Sequence, residues 1–179
     1  MTDYSDNPKL YCGTYHKYNS GSIKGAWLDM ADYDDAEEFF EACRELHKDE
    51  ADPEFMFQDF ECFPKEMYSE SMGIKDIEAI IAYAKLDESQ RELVTDFTEA
   101  TGYSLDDYTI EQIESALVFI ADPNDWSDIE EQYGYHCVES GLIEVSDEVQ
   151  SYFNYKGYGE DILADCSVAN GKVFDLNAI

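Results

Sequence analysis

Positive charge is what this chain lacks. From Glu92 to Tyr155 there is no Lys or Arg, and over 179 residues 11 Lys+Arg face 42 Asp+Glu, a formal charge of −31. That balance excludes direct binding to nucleic acid or to an anionic membrane, which carry the same sign. Apolar runs near eighteen residues are missing too, so no membrane-spanning helix is expected. Residues 1–6 lack the basic-then-apolar order of a signal peptide. Cys12, Cys43, Cys62, Cys137 and Cys166 are odd in number and form no C-x-x-C. Neither a disulfide framework nor a zinc site is therefore expected, and the reading is of reduced thiols in a cytoplasm.

Catalytic signatures are equally scarce. His16, His47 and His136 lie far apart, none begins an H-E-x-x-H, and none has a Glu three residues before it. Residues 122–126 start like a calcium loop, but Trp126 and Ser127 stand where a ligand and a Gly are needed. Gly157-Tyr158-Gly159 has neither a third Gly nor a preceding strand, so it is no dinucleotide turn. Among 42 acids, close carboxylate pairs arise by chance, and a carboxylate hydrolase has no specific support. No cofactor, no metal and no enzymatic activity are expected.

What is present argues for a folded surface. The chain is 44% hydrophobic and 15% aromatic, with 14 Tyr and 10 Phe, and no acidic run exceeds two residues. Acidic disordered chains are poor in just these residues. A halophilic surface would also suppress lysine but gives no reason for the tyrosines.

The pattern along the chain predicts an α+β fold, an elongated chain of three small parts: a strand–helix domain over 1–63, a helical middle over 64–115 and a second strand–helix domain over 116–179. Short aromatic strands are expected over 10–15 and 25–30, separated by a loop at 18–22, with a third strand over 55–61. A helix over 34–47 buries Phe39, Phe40, Cys43 and Leu46. Ile74, Ile77, Ile80, Ile81 and Ala84 mark a helix, and Leu93, Val94, Phe97 and Ala100 another, stopped by Gly102. Thr109-Ile110-Glu111-Gln112 has capping-box spacing and starts a third. A strand over 116–121 precedes a helix over 125–139 whose inner stripe is Trp126, Ile129, Tyr133 and Cys137. Ser146 caps a short helical turn, another helix covers 155–164, and Asn170-Gly171 is a hairpin turn between two short strands.

The remaining signal is electrostatic. Duplex DNA carries one charge per ~1.7 Å of axis, so 31 charges match about 53 Å of duplex, roughly 15 base pairs. Glu88, Glu92, Asp96 and Glu99 are spaced to form one helical stripe about 16 Å long, one charge per ~5 Å against 3.4 Å per phosphate of a strand. The alternation recurs with Asp35, Glu38, Glu41 and Glu45, and with Asp125, Asp128 and Glu131; Asp106, Asp107, Glu111 and Glu114 lie between. These acids form a candidate phosphate-mimicking surface. An acidic module for a basic nucleoid or other DNA-processing protein would share every one of these features. Tyr133, Tyr152, Phe153, Tyr155 and Tyr158 give the last part more aromatic surface than so short a segment buries alone, pointing to a homodimer.

Particular residues carry a family resemblance. Tyr11-Cys12-Gly13-Thr14-Tyr15, Tyr18-Asn19-Ser20-Gly21, Gly25-Ala26-Trp27-Leu28-Asp29 and the run from Asp49 through Pro53 to Asp59 resemble the ArdA antirestriction proteins. The stretch from Tyr152 to Ile162 resembles that family's antirestriction motif, with Asp161 inside it; it departs at Glu160, where Arg is expected in many relatives. The resemblance implies a three-part chain, carried on mobile elements, that dimerises through its last part and imitates bent duplex DNA. By occupying the DNA groove of type I restriction–modification enzymes it would block them without catalysis.

Overall fold

The computed structural model describes residues 7–179, so the signal-peptide expectation at residues 1–6 lies outside them. The described residues hold eight helices and two small antiparallel sheets, an α+β fold. They divide into two compact units. The first holds the described residues up to Thr98 together with Tyr103–Thr109, the second Glu99–Gly102 and Ile110–Ile179. No helix among them is long and apolar enough to cross a membrane.

In the first unit, β1 (Lys9–Thr14) lies between β2 (Ala26–Asp29) and β3 (Phe55–Glu61), antiparallel to both. Register places Tyr11 opposite Trp27, and their rings meet edge-on at 5.4 Å. Helix α2 (Ala36–Leu46) starts where the Asp35 carboxylate accepts the Glu38 N–H at 2.9 Å. It buries Ala36, Phe39 and Cys43, and Phe39 meets Phe57 of β3 at 5.8 Å. The loop expected at 18–22 is partly helical. Thr14 ends β1 and caps α1 (Tyr15–Asn19) by accepting the Lys17 N–H at 3.2 Å. One short helical turn carries too few apolar positions to announce a period.

Helix α3 (Ile74–Ala84) begins at Gly73, whose N–H donates to Asp76 at 2.7 Å, and buries Ile77, Ile80 and Ile81. Ile74, expected inside, is 63% exposed because it sits in the first turn. Helix α4 (Glu88–Thr101) buries Val94 and Phe97 and stops at Gly102, whose φ of +76° is the left-handed cap that glycine adopts without strain.

The second unit runs α5 (Ile110–Ala116), β4 (Leu117–Ile120), α6 (Ile129–Glu139), α7 (Asp147–Gln150), α8 (Tyr155–Leu163), β5 (Ser167–Ala169) and β6 (Lys172–Phe174). Sheet order is β4-β6-β5. Asn170 at φ +49° and Gly171 at φ +76° make the tight primed turn between β5 and β6. Tyr133, Cys137 and Val173 form the core, joined by Phe119, Ile129, Tyr158 and Leu163. The helix expected from residue 125 starts four residues late. Asp128 is its cap, accepting the Glu131 N–H at 3.1 Å, while Asp125 spends its carboxylate on the Ser127 N–H in a turn. Trp126, expected on the inner stripe, is consequently 100% exposed.

Candidate functional site

Most of the expected phosphate-mimicking acids are on the surface. Along α2, Glu38, Glu41 and Glu45 are exposed, as is Asp35 at its cap. Along α4, Glu88, Glu92 and Glu99 are exposed. Asp96 is not: at 4% exposure it belongs to the interior, so the α4 stripe has three members rather than four. Its angular position lies nearest the buried Leu93–Phe97 side, and helical period alone places such a flank residue on either face. Asp106, Asp107, Glu111, Glu114, Asp125 and Asp128 are exposed, and Glu131 is half-buried.

Some of these charges are occupied. Lys48 binds Glu45, three residues before it, at 2.5 Å, and Lys156 binds Asp128. Asn170 donates to Glu99 at 3.1 Å, and Ser104 donates to Asp106 from its hydroxyl and to Asp107 from its N–H. Among the described residues, Asp35, Glu38, Glu41 and Glu88 have no cationic partner. The Lys156 ammonium holds the Asp128 carboxyl below its usual range, and the Ser127 hydrogen bonds do the same for Asp125. Both stay ionised near neutrality, the opposite of what a general acid needs.

The aromatic residues expected at a dimer contact divide. Tyr133 is buried, and desolvation pushes its hydroxyl up to about 12. Tyr155 is half-buried and stacks on Tyr135 at 3.9 Å; Phe153 meets Tyr155 at 5.1 Å and Tyr158 at 5.6 Å. Tyr152 is 86% exposed, and Asp161 is exposed on α8.

The glycines of this stretch have a structural reason that spacing did not disclose. A Cβ on Gly159 would lie 1.8 Å from the Glu130 carbonyl oxygen, and one on Gly134 would lie 2.0 Å from that of Tyr155. Helices α6 and α8 therefore meet backbone to backbone, and Lys156 clamps the cap of α6 from the same helix.

A second constellation escaped the sequence because its members are about thirty residues apart. In the first unit the Lys17 ammonium, largely buried, lies 2.8 Å from His47 Nδ1, 2.7 Å from Asp49 and 3.1 Å from Glu50. Thr14 also donates to Glu50 at 2.7 Å, and Lys24 reaches Asp49 at 3.0 Å. An ammonium only donates, so Nδ1 accepts and the ring proton sits on Nε2, which donates to the Cys12 carbonyl at 3.2 Å. The ligand atoms of His47, Asp49 and Glu50 lie within 4.8 Å of one another, a spacing that suits a metal. The cation they surround is the chain's own. Burial lowers Lys17, but its bonds and charges from Asp49 and Glu50 outweigh that and raise it.

The site is thus a set of exposed carboxylates on helices and their flanking turns, with Lys17, Lys24, Lys48, Lys85 and Lys156 each held by a particular acid. Comparison with curated proteins yields no match. The family model described as antirestriction protein (ArdA) matches residues 10–174. With 179 residues in all, that match covers nearly the whole sequence, and the chain belongs to the ArdA family of antirestriction proteins.

Proposed function

We propose that this antirestriction protein acts by imitating duplex DNA, its carboxylates standing in for phosphates in the DNA-binding groove of type I restriction–modification enzymes. The observation that carries the reading is the set of exposed acids on α2 and α4 without a cationic partner, Asp35, Glu38, Glu41 and Glu88. Ordinary exposed helices offset such acids with Lys or Arg four residues on, whereas Glu41 and Glu88 have Glu45 and Glu92 there. The enzyme's Lys and Arg would exchange counterions for carboxylates as they do for phosphates. In this reading the protein works in the cytoplasm, as a homodimer joined through its last part, and residues 64–115 form a part of their own. Tyr152, 86% exposed beside the half-buried Phe153, supports a contact with a second copy there.

The test is displacement. A type I enzyme bound to labelled DNA is titrated with the protein at two salt concentrations, and release of the DNA that weakens as salt rises is expected. Retention of the DNA, or release indifferent to salt, overturns mimicry. Release from a basic nucleoid protein but not from the enzyme would favour the broader acidic-module reading.

A further inference from the structure

One surface of the first unit does not look like a row of phosphates. Between α2 and α3 lies a groove of about 460 Å³ lined by Asp35, Glu37, Phe40, Arg44, Ile74 and Glu78. Glu37, Phe40 and Arg44 are spaced three and four apart along one face of α2, and Ile74 and Glu78 four apart on α3. Its floor is apolar and stiff: Phe40 stacks on Phe55 at 6.1 Å and meets Phe39 edge-on at 5.6 Å. Ile74 stands 63% exposed at the rim, its backbone pinned by the Gly73–Asp76 cap. Three carboxylates face one guanidinium, and Arg44 has no ion pair among the described residues. Nearby Lys85 is engaged elsewhere, with the carbonyl and carboxylate of Asp34.

We propose that this groove receives an arginine side chain of the protein partner. An apolar floor under an acidic rim fits a cation on an aliphatic stem, and charge complementarity selects the sign. The stem lies along Ile74 and over the Phe40 ring, while the head reaches Glu37 and Glu78. Arginine fits better than lysine because a flat guanidinium stacks on an aromatic face and pairs bidentately with carboxylate. Arg44 opposes any cation in the groove, and the three carboxylates outweigh it. DNA backbone offers no such floor, so the groove adds an anchor that a phosphate row lacks. The proposal rests on the mimicry reading for the partner's identity but not for the chemistry of its guest.

The full-length protein, labelled at isoleucine methyls, is titrated with N-acetyl-arginine methylamide and, separately, its lysine counterpart. Ile74 is expected to shift saturably and several-fold more than the exposed Ile23 and Ile120. The lysine probe binds more weakly, and an E37Q/E78Q variant, altered only at exposed positions, loses the response. Equal shifts at all three isoleucines, or an unchanged response in E37Q/E78Q, overturn the proposal. In the DNA-displacement assay, Ile74→Ser is expected to need about three- to tenfold more protein, the range for losing one partly buried aliphatic contact. If wild type displaces DNA and Ile74→Ser does so equally well, the anchor fails while mimicry stands. If wild type displaces no DNA, mimicry fails and the methyl titration still decides the groove.

Discussion

The two units keep their order by different means. In the first, α2 is separated from its sheet by a layer of rings, Phe39 on Phe57 and Phe40 on Phe55, and an internal ammonium ties Lys17 to His47, Asp49 and Glu50. In the second, the strands are three or four residues long and the main contact is the glycine crossing of α6 and α8. Side chains carry the helix–sheet contact in one unit, whereas in the other the main chains of two helices touch beside a small side-chain core. Side-chain packing tolerates swaps that conserve volume; the main-chain contact leaves no room even for a methyl. The second unit should therefore be intolerant at its crossing, and the first at its ion cage.

Gly159→Ala gives the sharpest break. Its methyl would have to lie 1.8 Å from a backbone oxygen, so the helices must part, at a loss of about 3 kcal/mol or more. Thermal unfolding followed by core probes in each unit should show the second melting early and the first unchanged. A variant as stable as wild type would refute the backbone contact.

Lys17→Met is the matching test on the first unit. It strips the cation from Glu50 and His47, and the expected loss is about 2–3 kcal/mol, at or below the low end for a buried pair because Asp49 stays half in water. Denaturant unfolding measures it, and a loss that reached both units equally would dissolve the contrast between them.

Acid should separate the units more gently. Burial, with the Lys17 charge, holds His47 below its ordinary value against the opposing Cys12 carbonyl. The folded ring stays neutral while the unfolded chain takes a proton near pH 6.5, so the unfolded state binds more protons and stability falls as pH drops below that value. Asp49 and Glu50 are also depressed, Asp49 chiefly by Lys17, Glu50 by Thr14 and Lys17 despite its burial; their contribution is present above about pH 4 and is lost below it. Midpoints measured from pH 7.5 to 5 should fall for the first unit, and His47→Gln should flatten the slope.

The smallest effect is expected at Trp126. With its side chain fully in solvent, Trp126→Ser should change stability by no more than ~0.5 kcal/mol. A larger change in dilute solution would mean that the indole is covered there.

How much of this was legible depended on whether the cause was local. Helix α2 was readable because Phe39 and Cys43 recur at the helical period behind an Asp cap, and the β5–β6 turn because Asn170-Gly171 has few other uses. Gly102 stopped α4 as expected. Trp126 was misplaced because periodicity extends a helix past its cap, whereas the structure starts it at Asp128. Asp96 was misplaced because a wheel shows angle, and burial at a helix flank depends on what is packed beside it. The Lys17 cage and the α6–α8 crossing join residues twenty-one or more apart, and no local spacing encodes them. The exposure of the acids was legible at helical spacing for most members, with Asp96 and Glu131 the exceptions.

The glycine crossing also bears on how the stretch from Tyr152 to Ile162, which resembles the family's antirestriction motif, should be read by mutagenesis. Gly159 sits inside that stretch, against the main chain of α6, and has no side chain with which to touch an enzyme. A substitution there that abolishes activity would record a collapsed scaffold, and counting it as a recognition residue would mislead. Informative scans of the motif are those of its outward positions, Tyr152, Glu160 and Asp161, where a change can be silent to folding and still be heard by the partner.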